Sequence, residues 1–409
     1  MTTDRRLLQT APDRPGAFHC GWLLDGSGAG PRRDVILTVA GGRIGAVFSA
    51  DEGPHGLKPL DWRDFTVLPP LVDAHVHLFL SGRSDPALRR MQLSPDPEEI
   101  FDHMTARVQR HLRRGVLAVR DGGDHGALAL ALRGCRGQRY PDEFVLRASG
   151  RAWHRSGRYG GAFGRSPAEG QSLADAVAED GGGIDQVKII ASGINSLIDF
   201  GRPTRPQFDA ADLKAAVAAA HRRGLRVMVH ANGERPVADA LAAGCDSIEH
   251  GFFMGEANMV QIAARGTVWV PTAGTMAGCL DALEPGSPAA DGARRLLDHQ
   301  VAQLARAREL GATVAVGTDG GSPGVRHGRA MAVELALMSA AGYRTGEVVR
   351  CAAVHGARLL DLERTGVLQP GAPADFIAAA GPPEALWGSL EQIQAVYRKG
   401  LPVVWGEGI

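Results

Sequence analysis

The sequence predicts an α/β fold: a (β/α)8 TIM barrel with a small β-sandwich module built from both termini. Three observations predict it. From Thr66 onward, short apolar runs alternate with Ala-rich amphipathic stretches, and eight such runs can be counted, the number a closed parallel barrel needs. Before that point, and again after Leu368, strand and turn signals recur without helices between them. The chain has 409 residues, which suits a barrel of about 250 residues plus a smaller module. The expected division is 1–66 with 360–409 for the module and 67–359 for the barrel.

The elements follow in order. Residues 35–39 and 43–47 flank Gly41-Gly42, a hairpin signal. After Leu68-Pro69-Pro70 the run 72–78 opens the barrel pattern. The remaining strand-like runs are 116–119, 144–148, 184–191, 225–230, 246–250, 266–271 and 312–317. The clearest helix is 209–223, where Asp209 can cap and Asp212 favours the positive N-terminal end. Another is 235–243, closed by Gly244 in the C′ position. In the tail, 374–378 and 394–397 read as strands that join those at the start of the chain, since termini often lie close together.

Composition narrows the function. Lys+Arg and Asp+Glu both number 45, so a phosphate-tracking nucleic-acid binder is not expected. The five cysteines (Cys20, Cys135, Cys245, Cys279, Cys351) are scattered, with no Cys-x-x-Cys pair, which suits a reduced, cytoplasmic setting. Residues 1–18 are polar and lack the apolar core of a signal peptide, and no run of about 18 apolar residues spans a membrane.

The chemistry starts at Val72-Asp73-Ala74-His75-Val76-His77-Leu78. Side chains alternate along a strand, so His75 and His77 share a face and can grip one metal ion. Alone, such a pair is also compatible with two core histidines. Four further groups stand at or near the carboxyl ends of expected strands, where barrel enzymes place their sites. Lys188 lies inside an apolar run, where an unpaired lysine is costly. His230 ends Arg226-Val227-Met228-Val229-His230. His250 ends Ser247-Ile248-Glu249-His250-Gly251. Asp319 follows Gly317-Thr318. Singly, each could be a satisfied core polar group; together the six make a metal-competent set at one barrel mouth.

The ordered set His-x-His, Lys, His, His, Asp resembles the amidohydrolase superfamily of metal-dependent hydrolases. The context Val187-Lys188-Ile189-Ile190-Ala191-Ser192-Gly193 is similar to its carboxylated-lysine binuclear branch, which includes Xaa-Pro and Xaa-Arg dipeptidases, with imidazolonepropionases as relatives. The tail Gly366-Val367-Leu368-Gln369-Pro370-Gly371-Ala372-Pro373-Ala374-Asp375-Phe376 resembles that family's return to its β module. The resemblance implies two divalent metal ions, Zn²⁺ before Mn²⁺, Co²⁺ or Fe²⁺, with a CO₂-derived carbamate on Lys188 bridging them. His75, His77 and Asp319 would hold one ion, and His230 and His250 the other. A metal-bridging hydroxide would attack a linear amide (a dipeptide, an N-acyl amino acid or a related carbamate or urea), with Asp319 moving the proton. The alternatives are a mononuclear relative that opens a cyclic amide or deaminates a ring, as imidazolonepropionases suggest, and a non-catalytic scaffold.

The substrate end is read from residues 150–165, a Gly-rich, basic stretch after the third expected strand. Its glycines permit a mobile lid. Family dipeptidases often carry Gly-Gly-His-Gly here, with a histidine on the substrate carbonyl. This chain has Gly157-Arg158-Tyr159-Gly160, which aligns Tyr159 with that histidine; His154 is a second candidate. Arg151, Arg155, Arg158 and Arg165 make the stretch basic, and arginine clamps carboxylates bidentately. Arg155 and Arg158 are therefore expected to hold a carboxylate-bearing small-molecule substrate. Arg326, with His327, follows Asp319 and is expected to reach the pocket. Arg120-Asp121 reads as an ion pair at a strand end. His103, His111, His221, His299 and His355 fall in helical patterns as surface or packing residues. A homo-oligomer is the expected assembly.

Overall fold

The fold is that of a computed structural model, which describes residues 16–53, 56–93, 97–362 and 365–403. Residues 1–15 and 404–409, counted in the expected module, lie outside the described residues. The chain begins with β1 (Gly16–Leu23), β2 (Arg32–Ala40), β3 (Arg43–Ser49) and β4 (Leu60–Leu68). Gly41 and Gly42 join β2 to β3 with φ of +55° and +73°, the left-handed pair that a tight hairpin needs. Pro69 and Pro70 then stop the ladder, because neither has an amide to donate.

Beyond the prolines the strands run parallel. β5 (Leu71–Val76), β6 (Val116–Asp121) and β7 (Val145–Ala148) form one three-stranded sheet. β8 (Ala152–Trp153), β9 (Gly164–Arg165), β10 (Gln186–Ile190), β11 (Arg226–Ala231), β12 (Ser247–His250) and β13 (Val268–Val270) form another, in the order β13-β12-β11-β10-β8-β9. Seven of the eight expected runs are thus strands.

The eighth, 312–317, forms no ladder. Its backbone bonds alternately to both sides: Ala315 N donates to Trp269 O at 2.9 Å, and its Val316 carbonyl accepts from Ala74 N at 2.9 Å. Thr318 gives both its amide and its hydroxyl to the Asp73 carboxylate, at 2.9 and 2.7 Å, so a side chain takes the place of a strand partner. At Gly317 a Cβ would sit 2.9 Å from His75 N, so only glycine allows the backbones to approach this closely.

The helices obey the sequence signals. The Asp209 carboxylate accepts from Asp212 N at 2.8 Å and caps the helix Ala210–Arg222, which buries Leu213, Ala216, Val217 and Ala220 at the spacing of one apolar stripe. Gly244 ends Glu234–Ala243 at φ +85°. The helix Pro288–Glu309 carries a buried Gly292, whose added Cβ would lie 1.6 Å from the Leu197 carbonyl oxygen. Helix propensity alone predicts that Gly292→Ala stabilises by about 1 kcal/mol. The contact reverses the sign: a loss of about 1–3 kcal/mol is expected in urea unfolding, and a gain would refute the close approach.

The tail returns as β14 (Phe376–Ala380), β15 (Ile393–Arg398) and β16 (Leu401–Pro402). One ladder links both ends of the chain in the order β16-β15-β14-β4-β1-β2-β3. β14 lies antiparallel to β4, with Ile377 opposite Leu68. An aromatic cluster fills this region: Phe18 and Trp62 centroids are 4.5 Å apart, and Phe376 stacks on Tyr397 at 4.8 Å. Each end contributes two rings, so neither end has this core without the other.

Candidate metal centre

At the end of β5, His75 and His77 are both buried. His75 Nδ1 lies 2.7 Å from Glu249 Oε2, and His77 Nδ1 lies 2.9 Å from the Gly123 carbonyl oxygen. A carboxylate and a carbonyl only accept, so both rings carry their proton on Nδ1. Burial holds His75 well below its usual pKa, so it is neutral. The lone pairs on the two Nε2 atoms then face Asp319 Oδ1, at 3.6 Å from His75 and 3.4 Å from His77. The ligand atoms of this trio all lie within 4.8 Å of one another. Electron-pair donors gathered so closely repel unless a cation stands among them. His75 Nε2 is buried with no hydrogen-bond partner. The donor set fits a divalent ion.

Lys188 sits mid-strand in β10. Its neighbours Val187 and Ile189 pack into the large core cluster, and alternation turns Lys188 to the other face. It is 3% exposed, and Nζ has no hydrogen-bond partner. Burial pushes the amine below the usual lysine range, against the opposing pull of Glu249 and Asp319. His230 Nε2 lies 3.0 Å from the Gly193 carbonyl oxygen, to which it donates, so Nδ1 keeps the lone pair. Burial and the Lys188 charge lower His230 to about 4. His250 Nδ1 is 2.7 Å from Thr272 Oγ1, and burial holds this ring neutral too. The His75 and His250 centroids are 5.0 Å apart, and those of His230 and His250 4.6 Å. The structure therefore brings all six expected residues into one cluster.

Two of the six stand on strained backbone. His250 has φ +68° and Asp319 +55°, a region that costs a non-glycine residue of order 1–3 kcal/mol. Asp319 is held there by its amide, which donates to His75 O at 2.7 Å, and by Ser322 Oγ, which donates to Oδ2 at 2.9 Å.

Beneath the cluster lies a buried ion pair that the motif reading did not include. Arg120 Nη2 donates to Glu249 Oε1 at 2.7 Å, Nη1 to Ser247 Oγ at 3.0 Å and Nε to the Ala74 carbonyl at 2.7 Å. The expected Arg120–Asp121 pair does not form, because adjacent strand residues point to opposite faces. The Asp121 carboxylate accepts instead from the amides of Leu78 and Gly123, at 2.7 and 2.8 Å, and burial raises it to about 7. The signal was available: a charged residue inside an apolar strand, the same feature that singled out Lys188.

The expected substrate residues are dispersed. Tyr159 is 37% exposed, with its ring 5.5 Å from that of His230. His154 is buried, its Nδ1 3.0 Å from the Arg155 carbonyl oxygen. The Arg155 guanidinium donates to the Gln207 carbonyl at 3.1 Å. Arg158 is exposed. Arg165 lies over the Trp153 ring and pairs with Asp180 at 2.7 Å. Arg326 lines a separate cavity of 660 Å³ with Arg83, Asp281 and Arg329, and none of the six clustered residues lines it. His327 bonds to the Leu80 carbonyl at 2.8 Å and to His111 at 3.3 Å, a packing role. Among the described residues no helix is long and apolar enough to cross a membrane.

Comparison with known proteins shows the family. Residues 66–403 match the pattern of the Amidohydrolase family. A Mycobacterium tuberculosis H37Rv protein carrying the name "Uncharacterized protein Rv2915c" is 30% identical over 347 residues, 82% of this chain and 84% of that one. An imidazolonepropionase of Rhodococcus jostii is 27% identical over 398 residues, covering 91% and 86%. Among solved structures, a Xaa-Pro dipeptidase with bound methionine superposes with a TM-score of 0.77 at 26% identity, over 95% of this chain and 100% of that one. Aspergillus niger ochratoxinase shares the fold, with a TM-score of 0.77 at 21% identity over 95% and 96%. The chain belongs to the amidohydrolase family and is a hydrolase of that kind.

Proposed function

We propose that the chain is a binuclear-metal amidohydrolase that cleaves a linear amide: a dipeptide, an N-acyl amino acid or a related carbamate or urea. One observation carries the reading: four buried histidines and the Asp319 carboxylate gather beside a buried lysine amine that has no hydrogen-bond partner. His75, His77 and Asp319 would hold one divalent ion, and His230 and His250 the other, Zn²⁺ suiting the nitrogen and oxygen donors best. Lys188, whose pKa burial lowers to about 8, would add its neutral amine to CO₂ with formation of an N–C bond and loss of one proton, and the carbamate would supply a further carboxylate ligand. Bound ions of this kind acidify water to near-neutral pKa and polarise a carbonyl. Asp319 takes the proton of the attacking water and delivers it to the leaving nitrogen. The Tyr159 hydroxyl, beside His230, donates to the substrate carbonyl. Arg158, exposed next to Tyr159, would meet a substrate carboxylate.

We read residues 67–359 as a closed (β/α)8 barrel and the two ends as one β-sandwich module. The two-sided bonding of 312–317 and the shared aromatic cluster support this. The enzyme is read as a cytoplasmic homo-oligomer acting on small molecules. A second reading, ring-opening of a cyclic amide, is favoured by the 27% identity to an imidazolonepropionase over 91% of the chain.

The test is turnover by Zn²⁺-loaded protein in bicarbonate against dipeptides, N-acyl amino acids, carbamates and cyclic imides, with Asp319→Asn as control. Loss of the proton-moving carboxylate is expected to cost about 10²–10⁴-fold. Turnover of cyclic substrates alone would move the protein to the second reading. If a carboxylate is clamped, Arg158→Ala raises KM for carboxylated substrates only; an equal rise for neutral amides refutes the clamp.

A further inference from the structure

Resting on the reading above, we infer that Tyr159 and Phe163 form an aromatic corner selecting amides that carry a planar ring beside the scissile bond. The two rings lie 6.0 Å apart at 60°. Each also leans on a different part of the cluster: Phe163 is 4.4 Å from the His77 ring, and Tyr159 is 5.5 Å from the His230 ring. The corner thus spans both groups of candidate ligands. Tyr159 is 37% exposed and Phe163 is half-buried, so both keep surface for a partner.

This corner is built rather than left to a free loop. Gln207 is 1% exposed, and its Nε2 donates to the Tyr159 carbonyl at 2.8 Å and to the Ser192 carbonyl at 3.0 Å. Its Oε1 accepts from Arg155 N at 2.9 Å. Phe163 N donates to the Gly160 carbonyl at 2.8 Å, and Ala152 N to the Phe163 carbonyl at 3.0 Å. Gly160 has φ +135°, and a Cβ there would lie 2.7 Å from His154 Cβ and 2.8 Å from Ile190 Cδ1. Only glycine lets the segment close against the end of β10 and bring Tyr159 beside His230. Rings fixed in advance lose little entropy when a ligand packs on them, and two ring faces inclined at 60° offer a flat aromatic partner both stacking and edge contacts. Two of the nearby cations are engaged elsewhere, Arg155 on Gln207 and Arg165 on Trp153 and Asp180.

Calorimetry on Zn²⁺-loaded protein with acetohydroxamate and benzohydroxamate tests this. Benzohydroxamate is expected to bind about tenfold tighter. The gap should fall below about threefold in Phe163→Ala and Tyr159→Ala but persist in Tyr159→Phe, which keeps the ring face. Equal affinities in the wild type overturn the corner. Saturation-transfer NMR with benzamide and acetamide on metal-free protein separates the two readings. A benzamide signal that Phe163→Ala and Tyr159→Ala at least halve supports the corner, even if neither hydroxamate binds and the metal centre alone falls. A benzamide signal untouched by both substitutions, or none from the wild type, overturns it.

Discussion

Replacing Lys188 by Met is expected, on the proposed binuclear reading, to abolish turnover, to lower the bound metal from two ions per chain to one, and to leave the metal-free protein at least as stable as the wild type. Each part has its own cause. Outer-shell partners of a metal typically cost 10–100-fold when lost, so removing a bridging ligand costs more than about 100-fold. Stability moves the other way because the amine is 3% exposed with no hydrogen-bond partner. Exchanging such a group for an apolar side chain of similar length stabilises by about 1–3 kcal/mol. Turnover and metal analysis check the first two parts, and urea unfolding of the metal-free proteins the third. Wild-type protein prepared without CO₂ should likewise be inactive and recover in bicarbonate, whereas Lys188→Met should not. A Lys188→Met protein that keeps both ions and its activity would show that Lys188 does not bridge them, and a wild type that binds one ion per chain would favour the mononuclear, ring-opening reading.

The second large effect is expected at Glu249. This carboxylate is fully buried between His75 Nδ1 and Arg120 Nη2, each at 2.7 Å. Glu249→Gln keeps the shape and removes the charge. Arg120, 1% exposed, is then left without its anion, which costs about 3–5 kcal/mol in unfolding. The amide also no longer enforces a proton on His75 Nδ1, so Nε2 is no longer fixed as the lone-pair atom, and metal affinity falls about 10–100-fold. The double variant Arg120→Met with Glu249→Leu separates these effects. Removing both charges should restore most of the stability, whereas His75 still lacks its acceptor and metal affinity stays low. If affinity returns with stability, Glu249 supports the fold and has no part in orienting His75.

Much of this was legible along the chain. The alternation of apolar runs and Ala-rich helices, the Asp209 cap, Gly244 and the Gly41-Gly42 turn are local signals, set by side-chain period and backbone freedom, and they recur in the structure. The candidate site was legible for the same reason: His75 and His77 are two apart on one strand, and Lys188, His230, His250 and Asp319 sit at or near strand ends that parallel pairing gathers into one place. The failures were all non-local. Arg120 was matched with its neighbour Asp121, yet its partner is Glu249, 129 positions away, because a strand turns adjacent residues to opposite faces. The run 312–317 looked like a strand, but the distant Asp73 carboxylate captured Thr318 and broke the ladder. Arg155 and Arg158 looked like a substrate clamp, yet the fold turns the Arg155 guanidinium onto Gln207 and leaves Arg158 exposed. By itself the sequence determined the parallel architecture and which side chains arrive at one end of it. Only the tertiary structure decided which nitrogen of each histidine is held by a proton acceptor and which rings stand beside the cluster, since those depend on contacts between segments that are far apart in the chain.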